Sequence, residues 1–71
     1  GVDCLARIDL SGAFLSYANV GGADLRQVNL RAADWSYARL ESADLWMADL
    51  RGANLEGAEL GGANMSGVKR K

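Results

Sequence analysis

The side chains here that could carry chemistry are nine carboxylates, eight cations, five aromatic rings and one thiol, Cys4, with no histidine. Without an imidazole, and with a single cysteine, the usual nucleophile–base pairs of covalent catalysis cannot be assembled. Two carboxylates held close together could still act as acid and base, because mutual repulsion raises the pKa of one. Asp24 and Asp44, twenty residues apart, are the pair that the spacing offers. Against that stands the recurrence of Asp or Asn at this place along the whole chain, which reads as corner formation. A metal centre fails for the same reason, since no spacing sets one carboxylate pair apart from the others. No catalytic, cofactor-binding or metal-ligating residue is therefore assigned, and the chain is read as non-enzymatic. The other chemistry on offer is recognition. Phe14, Tyr17, Arg26, Tyr37, Trp46 and Met47 are of the types that dominate protein-binding surfaces, and they are the candidate protein-binding residues. The bland alternative is that they stack on one another as ladders.

What could position them is a beat of five. Large apolar residues fall at Leu5, Leu10, Leu15, Val20, Leu25, Leu30, Trp35, Leu40, Leu45, Leu50, Leu55, Leu60 and Met65. Two places earlier stands Ala in ten of these thirteen units, and one place earlier Asp or Asn in nine, so the unit reads A-(D/N)-L-x-x. Five steps on an α-helix rotate by about 140°, which makes no stripe. An odd step on a flat strand alternates faces. The apolar set shares one side only if the chain turns after every unit.

A slower rhythm says how the turns close. Tyr17 and Tyr37, Arg31 and Arg51, and Asp24 and Asp44 are each twenty apart, and the late exceptions at the Ala place (Ile8, Val28, Val68) share one remainder on division by twenty. Four units to a coil would stack all of these in columns, with coils at roughly 4.8 Å. The Ile8, Val28 and Val68 column would be a wall with more room behind it. Leu and Ala would point inward, Asp or Asn would bond turn amides from outside, and Gly12, Gly52, Gly57, Gly62 and Gly67 would sit where a corner needs positive φ. The expected domain is a solenoid over residues 1–68 of about three and a half four-sided coils, followed by the basic tail Lys69, Arg70, Lys71.

Thirteen consecutive units in register, such as Ala23-Asp24-Leu25, Ala43-Asp44-Leu45 and Ala53-Asn54-Leu55, resemble the pentapeptide-repeat family over residues 3–68. The resemblance implies an all-β fold, a right-handed quadrilateral β-helix. Cys4, Phe14, Arg39 and Glu59 depart from the usual Asp or Asn. Trp35 departs from Leu, and its larger ring with an N–H to satisfy predicts local widening or a partly outward indole.

Charge narrows the functions. The chain carries −1 overall, and residues 1–68 carry five basic against nine acidic groups, or −4. Arg31 and Arg51 share a column, but a net acidic body without aromatic–basic interleaving argues against nucleic acid as a ligand. Arg39 is expected over Glu59. No apolar run reaches membrane-spanning length, and no signal-peptide pattern opens the chain, so a cytoplasmic, non-membrane protein is expected. Neither end shows a capping unit, which suggests end-to-end pairing or fusion to a further domain. The leading reading is an interaction scaffold with an unidentified protein partner. The alternative, implied by the resemblance, is a mimic of B-DNA that binds DNA gyrase or another nucleic-acid-binding protein. The low charge, the few coils and the Arg columns weigh against that alternative.

Overall fold

The computed structural model describes residues 8–71. Cys4 and Leu5 lie outside the described residues. From residue 8 onward each unit is a short extended piece followed by a two-residue turn. The extended pieces pair in parallel at a constant offset of twenty: Asp9 with Asn29, Phe14 with Asp34, Asn19 with Arg39, Asp24 with Asp44, and so on to Asp49 with Lys69. Four units therefore complete one circuit. This gives four walls: 8–12, 28–32 and 48–52 form wall 1; 13–17, 33–37 and 53–57 form wall 2; 18–22, 38–42 and 58–62 form wall 3; 23–27, 43–47 and 63–67 form wall 4. The ladder runs through Lys69, whose N–H donates to the Ala48 carbonyl at 3.0 Å.

The corners follow from backbone chemistry. In each turn the N–H of the Ala place donates to the carbonyl of the preceding Leu place, as from Ala13 to Leu10 at 3.1 Å and from Ala43 to Leu40 at 3.0 Å. The second turn residue has positive φ in every unit from Gly12 to Gly67. A four-residue turn with that bond and positive φ at its third residue is the type II arrangement. Glycine fits it without strain. Gly21 and Gly61, one place earlier, have no such φ.

The threaded side chains make a dry shaft. Leu25, Leu30, Leu40, Leu45 and Leu50 are buried, interleaved with Ala33, Ala38, Ala43 and Ala48. Each Leu removed from water contributes roughly 1.5–3 kcal/mol. Ala is needed beside it because nothing larger fits between two inward rows. Wall 1 is the exception anticipated from its column, since Val28 is fully buried at an Ala place. Leu10, Leu15 and Val20 in the first described coil, and Leu55, Leu60 and Met65 in the last, are half-buried because a coil covers each from one side only.

Of the two outcomes expected for Trp35, local widening or a partly outward indole, the second is corrected. Its ring does not turn outward: it is 1% exposed and lies wholly in the shaft. Nε1 has no hydrogen-bond partner among the described residues. Apolar burial of a large ring outweighs the desolvation of one N–H, which costs about 1–3 kcal/mol.

Candidate interaction walls

The Asp and Asn residues at the corners are committed to structure. All nine of them from Asp9 to Asn64 accept the backbone N–H two residues on, at 2.9–3.2 Å, through one side-chain oxygen. The Ser11 and Ser36 hydroxyls add second bonds to Asp9 and Asp34, at 2.6 and 2.8 Å. These bonds favour the ionised forms and hold both carboxyls below their ordinary pKa, chiefly through the Ser11 hydroxyl at Asp9 and the Ser36 N–H at Asp34.

Walls 1 and 4 carry a web of opposite charge. The Arg51 guanidinium forks onto Asp49, with Nε to Oδ1 at 2.9 Å and Nη2 to Oδ2 at 2.6 Å. Arg31 reaches the same carboxylate from the coil below at 3.8 Å. The Arg51 hydrogen bond is the main reason the Asp49 pKa falls from 3.8 to about 2. Arg26 forks onto Asp24 at 2.8 Å and lies 3.9 Å from Asp44. Asn64 donates to Asp44 at 3.2 Å. The stacked Asp24–Asp44 pair considered for acid–base work thus has a guanidinium across it and an amide on it, so its oxygens are engaged in structural contacts. No group of three or more metal-ligating side chains forms among the described residues.

The six candidate binding residues fall into two groups rather than one patch. Phe14, Tyr17 and Tyr37 belong to wall 2, and Arg26, Trp46 and Met47 to wall 4. Tyr37 and Met47 are ten residues apart, half a circuit, so they occupy opposite corners of the square. On wall 2, Phe14 is 91% and Tyr17 75% exposed. The two tyrosine rings stack, with centroids 5.4 Å apart and planes 15° from parallel. Tyr37 leans over Gly57, its ring occupying the space that a Cβ on Gly57 would need. On wall 4, Met47 lies in the same way over Gly67, and Trp46 and Met47 are exposed. Arg39 stacks over Glu59 by backbone pairing as expected. Its ion pair corrects the expectation, running to Glu41 at 3.7 Å on the same coil. The i, i+2 ion pairs of Arg26 and Arg51 were missed from the sequence, although their spacing holds the signal: outward places two apart flank one inward residue.

The sequence model for Pentapeptide repeats matches residues 4–34 and 33–69, with eight copies. Among solved structures, a pentapeptide repeat protein of Nostoc PCC 7120, alr5209, superposes with a TM-score of 0.91 at 49% identity, covering 94% of this chain and 55% of its own. HetL, a pentapeptide repeat protein involved in heterocyst differentiation regulation in the same cyanobacterium, gives 0.82 at 47% identity over 84% of this chain and 29% of its own. A pentapeptide repeat protein of the Arabidopsis thaliana thylakoid lumen gives 0.82 at 38% identity, over 84% and 41%. The chain therefore spans between about a third and just over half of the length of these neighbours. No curated protein sequence matches it. The likeness carries the neighbours' fold, the right-handed quadrilateral β-helix.

Proposed function

Because this chain belongs to the pentapeptide-repeat family, we propose that it is a non-enzymatic scaffold that binds a protein partner through its outward walls. In this reading it is a rod of about three and a half four-sided coils, whose shaft supplies rigidity and whose corners supply recognition. The observation that carries the proposal is the display of large aromatic side chains at corners that glycine fills elsewhere. Tyr17 and Tyr37 adopt positive φ, which costs a non-glycine residue about 1–2 kcal/mol. The cost is offset partly by the stack and is retained where a partner uses the rings. Trp46 and Met47 offer a second contact on the opposite corner. HetL takes part in regulating differentiation, a task that a scaffold can perform by contact alone.

The test is affinity capture from source lysate with the wild-type chain and with a variant in which Tyr17, Tyr37 and Trp46 are replaced by Ser. Loss of the captured partners is expected, and unchanged partners contradict the proposal. Potent inhibition of DNA gyrase supercoiling would favour duplex mimicry instead. Turnover in a hydrolase screen that vanished in Asp24→Asn would contradict the non-enzymatic reading.

A further inference from the structure

The charges on the four walls are not evenly shared. Walls 2 and 3 carry Asp34, Glu41, Glu56 and Glu59 against Arg39, four carboxylates to one guanidinium, a net charge of −3. Walls 1 and 4, taken with the tail that leaves wall 1, carry four carboxylates against six cationic residues. The pairing differs too. On walls 1 and 4 each Arg lies within ion-pair distance of an Asp. On walls 2 and 3 Arg39 is taken by Glu41, Asp34 is held by the Ser36 hydroxyl and N–H, and Glu56 and Glu59 have no ion pair among the described residues. An uncompensated negative field therefore covers one side of the rod.

The stacked tyrosines stand in the middle of that side. They occupy the corner between walls 2 and 3, and Glu56 and Glu59 flank Gly57, on which the Tyr37 ring rests. The Tyr37 N–H donates to the Glu56 carbonyl at 2.7 Å, which fixes the two residues on adjacent coils. Phe14, three residues before Tyr17, adds a further exposed ring. Aromatic faces attract cations, guanidinium above all. The carboxylates of Glu56 and Glu59, on the residues around Gly57, add attraction without competing for the ring face. The opposite corner differs: Trp46 and Met47 stand beside Arg26 on a wall whose acids are already matched.

We infer that the Tyr17–Tyr37 corner, with Phe14, Glu56 and Glu59, is a docking site for an arginine- or lysine-rich segment of a partner protein. The inference rests on the scaffold reading above and gives its partner a chemistry. A guanidinium laid on the Tyr17 ring, with a further basic side chain of the same segment reaching Glu56 and Glu59 two coils along the corner, would let stacking and ion pairing act together. Each exposed cation–π contact is weak, so a segment needs several basic residues to bind, and its affinity must fall with added salt.

The experiment is calorimetric or fluorescence-anisotropy titration of the chain with an octa-arginine peptide, and with an octa-glutamate peptide as control, at 50 and 200 mM salt. Octa-arginine is expected to bind and octa-glutamate not to. Tyr17→Gly/Tyr37→Gly should weaken binding of octa-arginine about tenfold, the loss expected for two stacking contacts. Glycine is the residue that the repeat itself places at this corner, and circular dichroism checks that the variant folds. Tyr17→Phe/Tyr37→Phe should keep most of the affinity, since the ring faces remain. Glu56→Gln/Glu59→Gln should weaken binding and flatten its salt dependence. Equal binding by the wild type and the double-Gly variant would overturn the inference, because the field alone would then account for the peptide. So would absence of binding, or self-association of the chain in place of peptide binding. If peptide binding fails while the Ser variant still loses its captured partners, the scaffold stands and only the basic character of the partner is wrong.

Discussion

Six residues with positive φ hold strained backbone, and Trp35 holds a buried N–H without a partner among the described residues. Tyr17, Gln27, Ala32, Tyr37, Ser42 and Met47 hold φ near +60° at places where Gly12, Gly52, Gly62 and others sit comfortably. Ala32 is exposed and has only a methyl to repay this, so Ala32→Gly should raise stability by about 0.5 kcal/mol, the αL penalty less the added chain entropy of glycine. Urea denaturation reads it, and a fall in stability would contradict the corner assignment. Gly57 poses the reverse problem. A methyl there meets both the positive φ and the Tyr37 ring, so Gly57→Ala should cost about 2 kcal/mol. Part of that loss should be relieved when Tyr37→Gly is combined with it, which a double-mutant cycle measures. The six non-glycine corners were not legible in the sequence, because propensity argues against them and the closure of the repeat overrides it. The beat of five placed Trp35 inward but left local widening and a partly outward ring open, which packing decides.

At the scale of the five-residue unit, the Asp or Asn before each Leu is the part that sets the corner. Asn54 accepts the Glu56 N–H at 3.0 Å, and Asn54→Ala should cost about 1 kcal/mol in thermal or urea unfolding. The charged versions make the corner sensitive to acid. Asp9, Asp34 and Asp49 all have folded pKa values below the ordinary 3.8, Asp49 at about 2 through Arg51. A carboxyl with a depressed folded pKa favours the fold when ionised. Its contribution is full above the unfolded value and is lost as pH falls towards the folded one. Stability should hold steady above about pH 5 and decline towards pH 2, and Asp49→Asn should flatten that decline. An acid limb of the same slope in the variant would contradict the Arg51–Asp49 assignment. This layer was legible in outline: the recurrence of Asp and Asn gave the turn bonds, while the ion pairs two residues apart were missed although both partners stand at outward places that flank one inward residue.

Across the whole molecule, the beat of five and the rhythm of twenty together dictated four walls and their contents before any coordinates. The period of twenty also placed Phe14, Tyr17 and Tyr37 on one wall and Arg26, Trp46 and Met47 on another, while the pairing of individual charges needed the side chains themselves. Burial is deepest from Leu25 to Leu50 and shallower in the first and last described coils. Amide exchange should follow it, with the Leu30, Leu40 and Leu45 N–H groups slowest; uniform protection would contradict a stack of nearest-neighbour coils. The central claim is that residues twenty apart lie on one another around a shared apolar shaft, leaving the outward side chains available for contact. The most direct test is a nuclear Overhauser spectrum of the labelled chain. It should show Asp34 backbone protons against both Phe14 and Asn54, and Asp44 against both Asp24 and Asn64. Unbroken runs of strong sequential amide–amide cross-peaks, as in a helix, or an offset other than twenty, would contradict the account.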